Sequence, residues 1–157
     1  MTALLEENVQ DYPRPPALAP VPQRLRVILG GEVVADTING FRVLETHHAP
    51  TYYIPPSDIV GRLVPAPGRS FCEWIGFATY WDVVAAGVTA PRAGWSYPQP
   101  TTSFLPITDY VAFYATSMEA CFVGEHREVP QPGDFYGGWV TDNLRGTVNG
   151  ARGTEHW

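Results

Sequence analysis

Lysine is absent from this chain: all ten basic residues are arginine. Schiff-base chemistry, a lysyl-nucleotide intermediate and a phosphate-loop lysine are therefore excluded. Cysteine is scarce. Cys72 and Cys121 are the only two, each in an apolar stretch, and no CxxC pair occurs. They read as buried reduced thiols, because free cysteine behaves as a small hydrophobe. Neither a zinc knuckle nor a thioredoxin-like motif is suggested. Long apolar runs are missing too, with nothing approaching the roughly 20 residues of a membrane-spanning helix. The first ten residues, MTALLEENVQ, lack the basic start and apolar run of a signal peptide. The expectation is a cytoplasmic protein with no membrane partner. Positive charge is in deficit, at a net charge of −6 with no basic cluster. Nucleic acid is not an expected partner, since phosphate neutralisation supplies most of that affinity.

Aromatic residues are what the chain has in quantity. They concentrate in THHAPTYYIPP (46–56), SFCEWIGFATYW (70–81), GWSYPQP (94–100), DYVAFYATS (109–117) and DFYGGWVT (134–141). Four of the five tryptophans lie in these segments; the fifth is Trp157 at the end. The 157 residues suffice for one domain with a core and are too few for two.

Residues 1–22 read as a proline-rich arm, with five prolines between Pro13 and Pro22 favouring extended chain. The arm is either loose or laid across a neighbouring subunit, which would make a homodimer. Residues 23–157 read as a single β-rich domain. In RLRVILGGEVVADT the Gly30–Gly31 pair between β-branched runs is a hairpin signal. Asn39–Gly40 is a second such signal, leading into FRVLET and completing a meander. PPSDIVGRLV (55–64) is the one short helix, with Ser57 able to cap it and Asp58 suited to its positive end. FCEWIGFATYWDVVAAG reads as a long strand or a bulged strand pair, with Gly76 marking a bulge or a close backbone approach. Residues 109–130 read as a hairpin turning at Val123–Gly124–Glu125. The fold class is mainly β, either all-β or β-dominated α+β. A small barrel-like or tent-like antiparallel domain would hide the sheet edges.

These segments carry a family resemblance. RVILGGEVVADT, the Glu of VLET followed by YYIPPSDI, FCEWIGFATYW, AGWSYPQP, YVAFYA and FYGGWVT occur in order. Over them the chain resembles the family called domain of unknown function 427, from about Arg24 to Trp157. The resemblance implies a small β-rich fold and places Glu45 in a pocket. It also brings a nucleotidyltransferase-like label. Nucleotidyl transfer of the common type needs two or three acidic residues on adjacent strand positions to hold Mg²⁺. This chain has no DxD or DxE pair. Two family lysine positions are replaced here, by Ile75 and by Asn149, so an anionic group held by those lysines would not be held in the same way.

Glu45 and Tyr53 are the candidate catalytic residues. A carboxylate among rings has a raised pKa and can serve as general acid or base; a strand-end surface Glu is the bland alternative. Tyr52, Cys72, Trp74, Tyr80, Trp95, Tyr97, Tyr136 and Trp139 are the candidate ligand-binding residues, with Tyr114 a further wall candidate. Tyr and Trp pair an apolar body with a hydrogen-bonding tip, and core filling is the alternative for each. Strict alternation would send Glu73 away from Cys72 and Trp74. His47 and His48 read as loop residues, His126 and His156 as exposed ones. Gly137–Gly138 permits a close backbone approach or a plain turn. No metal site and no cofactor is expected. The leading expectation is a small-molecule-binding protein with an aromatic-lined pocket. As an enzyme it would act without a cofactor, in a cyclase or isomerase step of specialised metabolism. A non-enzymatic binding module, a structural or dimerising protein, and nucleotidyltransferase-like activity are the alternatives.

Overall fold

The structure is a computed structural model that describes residues 4–132 and 136–154. In chain order the strands are β1 (Glu7–Asn8), β2 (Ala17–Pro20), β3 (Leu25–Leu29), β4 (Glu32–Thr37), β5 (Phe41–Leu44), β6 (Thr51–Tyr53), β7 (Arg62–Cys72) and β8 (Gly76–Ala85). They continue with β9 (Val88–Ser96), β10 (Val111–Phe113), β11 (Ala120–Val123), β12 (His126–Arg127), β13 (Val129–Pro130), β14 (Trp139–Val140) and β15 (Leu144–Arg145). The fold is mainly β and does not close into a barrel.

Three sheets organise it, in the orders β10-β9-β8-β7, β12-β11-β3-β4 and β2-β5-β6. The alternation of LRVIL puts Leu25, Val27 and Leu29 on one buried face of β3. That face meets Val83, Ala93, Val111 and Phe113 of the β8–β10 sheet, with Cys121 and Val123 of β11 beside it. A second apolar cluster, containing Tyr53, Ile75, Trp95, Tyr97, Phe104 and Ile107, lies between the β7–β10 sheet and the β2-β5-β6 sheet. The Ile54–Val111 bridge joins those two sheets.

The Gly30–Gly31 hairpin is present, with both glycines at positive φ, as the turn requires. The turn expected at Val123–Gly124–Glu125 is present too, but it closes only the short β11–β12 hairpin: the 3-10 turn Ala115–Ser117 breaks the arm expected over 109–123, and β10 pairs with β9 in another sheet. The Asn39–Gly40 hairpin is not, because β4 and β5 belong to different sheets. Gly40 is small for another reason: a Cβ there would lie 2.5 Å from Leu25 Cδ1. The helix expected over 55–64 reduces to a single 3-10 turn, Pro56–Asp58, without a side-chain cap. Asp58 accepts a hydrogen bond from Thr37 Oγ1 (2.6 Å) instead, and β7 begins at Arg62. The longest helical segment among the described residues is the 3-10 stretch Thr102–Ile107.

The proline-rich segment is neither loose nor extended away from the domain. β2 pairs with β5 and β1 with β15, and Val9 is fully buried. Arg42 donates to both carboxylate oxygens of Glu7 (3.0 and 2.9 Å), and the Tyr12 hydroxyl donates to the same carboxylate. Burial works to raise the Glu7 pKa, but Arg42 and Tyr12 outweigh it and hold the carboxyl below its usual value. No helix among the described residues is long and apolar enough to cross a membrane.

Candidate functional site

A cavity of about 770 Å³ opens between the second cluster and the segments that follow β5 and β13. Its apolar wall comes from strand ends. Tyr53 ends β6, Trp95 comes from the end of β9 and Tyr97 from just beyond it, and Tyr80 comes from β8. Tyr53 is 2% exposed and meets the Trp95 and Tyr97 rings at centroid distances of 6.4 and 6.3 Å. Trp95 packs on Tyr114 at 4.5 Å. Burial pushes the Tyr53 and Tyr97 hydroxyls well above their ordinary pKa, so both are neutral hydrogen-bonding groups. Ser70 Oγ and Tyr80 OH add a hydroxyl pair 2.8 Å apart.

The polar end is built from loops. The Glu45–His48 turn closes through His48 N–H donating to the Glu45 carbonyl (3.0 Å), with His47 at φ 65°. The turn sets His48 Nε2 4.0 Å from Glu45 Oε2. Arg14, from the proline-rich segment, approaches the same carboxylate at 3.4 Å. Burial raises the Glu45 pKa, Arg14 pulls it back and Glu73 adds to the rise. Burial lowers His48 to about 4, with Arg14 and His47 contributing, so the imidazole is neutral at pH 7. Gln131 spans the base. Its Oε1 accepts from Ala49 N–H (3.1 Å), and its Nε2 donates to the Asn149 carbonyl (2.9 Å) and lies 3.1 Å from His48 Nδ1. Asn149 Nδ2 donates to the Tyr136 hydroxyl (3.1 Å), whose ring packs on His48 at 4.7 Å.

Of the residues singled out from the sequence, Glu45, Tyr53, Cys72, Trp74, Tyr80, Trp95, Tyr97, Tyr114 and Tyr136 line this one cavity. Tyr52 and Trp139 do not. Tyr52 points away from its neighbour Tyr53, as alternation demands, and packs on Trp139 at 5.2 Å in the first cluster. Burial pushes Tyr52 up to about 12. Glu73 lines the cavity against expectation, because Glu73–Ile75 form the turn between β7 and β8 and strand alternation stops there. Ile75 and Asn149 line the same cavity from opposite parts of the chain. Arg14 and Gln131 carry no sequence signal, and His48 reads from the sequence as a loop residue; the place of each depends on a loop or arm whose path only long-range packing determines. His156 and Trp157 lie outside the described residues. Among the described residues no cluster of three or more His, Cys, Asp or Glu side chains is placed to hold a metal ion.

The sequence profile of the family described as a domain of unknown function, DUF427, matches residues 17–124. This chain is a DUF427 protein. The match covers the three main sheets except the edge strand β12, starts earlier than Arg24 and stops at Gly124. FYGGWVT and Asn149 therefore lie beyond it, and the polar end of the DUF427 cavity is completed by residues outside the matched span. No curated protein matches the chain.

Gly137 and Gly138 close the cavity without adopting positive φ. A methyl at Gly137 would overlap the Trp95 ring, and one at Gly138 would press on Gln131 and the Ala49 carbonyl. Gly137→Ala is expected to displace Trp95 and cost about 1–3 kcal/mol, the usual range for overpacking. A urea titration followed by tryptophan fluorescence checks this; an unchanged midpoint would mean that the segment does not rest on Trp95.

Proposed function

We propose that this protein binds a small molecule with an apolar, ring-compatible body in the aromatic cavity, and that Glu45 performs acid–base chemistry on it without a cofactor, as in a cyclase or isomerase step. The observation that carries the proposal is the convergence of Tyr53, Trp95, Tyr97 and Tyr114 on one cavity whose other end presents a partly buried carboxylate. A volume of about 770 Å³ lies within the roughly 300–1,000 Å³ range of ligand pockets and favours this reading over a solid-packed scaffold. Nucleotide binding is disfavoured by the wall, where Glu45 and Glu73 outnumber the single arginine, Arg14.

Native mass spectrometry of the purified protein, followed by denaturing extraction, tests the binding half. One apolar small molecule per chain is the expected result. An empty protein that takes up no aromatic probe at millimolar concentration would sink it. Once the substrate is known, Glu45→Gln should slow turnover by about 10²–10⁴-fold, the usual contribution of a positioned acid or base. Binding without any turnover would instead identify a binding module.

A further inference from the structure

Gln131 decides the protonation geometry of His48. Its amide orientation is set twice over. Oε1 must face the Ala49 N–H, which only an acceptor can satisfy (3.1 Å), and Nε2 must face the Asn149 carbonyl, which only a donor can satisfy (2.9 Å). The second Nε2 hydrogen then points at His48 Nδ1, 3.1 Å away. Nδ1 is thereby an acceptor, and the proton of the neutral ring sits on Nε2. Nε2 faces Glu45 Oε2 at 4.0 Å, too far for a hydrogen bond between them. Both residues line the cavity. The polar end therefore places a donor, His48 Nε2–H, beside an acceptor, the Glu45 carboxylate, at a 4.0 Å spacing that the acceptor and donor of one ligand group can bridge.

We propose that this donor–acceptor pair, with Gln131 as its positioning residue, selects an uncharged ligand group carrying a hydrogen-bond acceptor and donor side by side: a carboxamide, a lactam or an enol attached to a flat apolar body. The proposal rests on the ligand-binding reading above and deepens it. A carboxylate or phosphate fits poorly. It would accept from His48 but meet Glu45, with Glu73 also at the wall. The arginine that lines the cavity, Arg14, is engaged with Glu45 at 3.4 Å. A group with only an acceptor would leave the partly buried Glu45 carboxylate with Arg14 as its partner and no hydrogen bond from the ligand, which costs affinity.

Two measurements on the full-length protein decide it. In ¹⁵N-labelled wild-type protein at pH 7, long-range ¹H–¹⁵N correlation, with His48→Gln to assign the signals, should show His48 as a neutral ring protonated on Nε2. A ring protonated on Nδ1, or on both nitrogens, overturns the proposal. Gln131→Glu, which removes the Nε2 donor, should move the proton to Nδ1 or add a second one. Titration with 2-naphthamide and 2-naphthoate, probes of matched shape, tests the selection. The amide should bind at least tenfold more tightly and shift the His48 ring signals. Equal or tighter binding of the naphthoate overturns the proposal and leaves the cavity reading standing. Failure of both probes to bind counts against both.

Discussion

Trp139→Ala is expected to remove most of the protein's stability. Trp139 is 1% exposed, its ring packs on Tyr52, and its indole N–H donates to the Phe113 carbonyl at 3.0 Å. Deleting a buried tryptophan side chain costs about 3–5 kcal/mol, and leaving a buried carbonyl unpaired adds about 1–3 kcal/mol. A domain of this kind has about 5–15 kcal/mol in total. The backbone N–H of Trp139 also donates to Pro50 O (2.9 Å), so the residue ties the C-terminal segment to the turn before β6. Urea denaturation of Trp139→Ala and Trp139→Phe separates the two contributions. The phenylalanine variant keeps most of the packing and should lose chiefly the hydrogen bond. An alanine variant within 1 kcal/mol of wild type would show that Trp139 is not a core anchor.

Glu128→Gln is expected to stabilise the protein in a pH-dependent manner. Glu128 is 7% exposed, and its Oε2 has no hydrogen-bond partner among the described residues. Burial pushes its carboxyl up to about 7 from 4.5, against the opposing pull of Arg127. For an acid whose folded pKa is raised, the unfolded chain releases its proton first as pH climbs. Stability contributed by Glu128 is full below pH 4.5 and is lost between about 4.5 and 7. At 1.36 kcal/mol per pKa unit the ceiling is about 3 kcal/mol. His48 works in the opposite sense. Its folded pKa is depressed from 6.5 to about 4, so its contribution is full above 6.5 and is lost as pH falls towards 4. Between pH 4.5 and 6.5 the two slopes oppose each other. Removing Glu128 should unmask a rise of stability with pH over that window. The stability difference between variant and wild type should grow from near zero at pH 4.5 to about 2–3 kcal/mol by pH 7. A difference that does not change with pH would mean that Glu128 is ionised in the folded protein throughout.

Much of the site could be read from residue types. Rings clustered in strand segments, and a glutamate placed just before the His-His turn, pointed to Glu45, Tyr53, Trp95, Tyr97 and Tyr136, and these do line one cavity. Tyr52 and Trp139 show the limit. Period-two alternation states that Tyr52 and Tyr53 face opposite sides, but both sides of β6 are apolar cores here, so hydrophobicity could not say which one held the cavity. Glu73 failed differently: a strand pattern was extended across a turn, and the rule of alternation ended with the strand. Gln131 showed no pattern at all. Its role comes from partners at Ala49, His48 and Asn149, up to 83 positions away.

The sequence by itself determined the absence of lysine chemistry, the mainly-β class and the Gly30–Gly31 hairpin, because these depend on composition, on period-two patterning and on turn residues that act locally, and its ordered motifs carried the resemblance to the DUF427 family. The tertiary structure decided that β4 and β5 part into different sheets, that the proline-rich segment folds back to bring Arg14 to Glu45, and that one amide orients His48. Those outcomes depend on which distant surfaces bury one another and on where buried donors find acceptors. Both are properties of the whole packed chain, and no short window of residues encodes them.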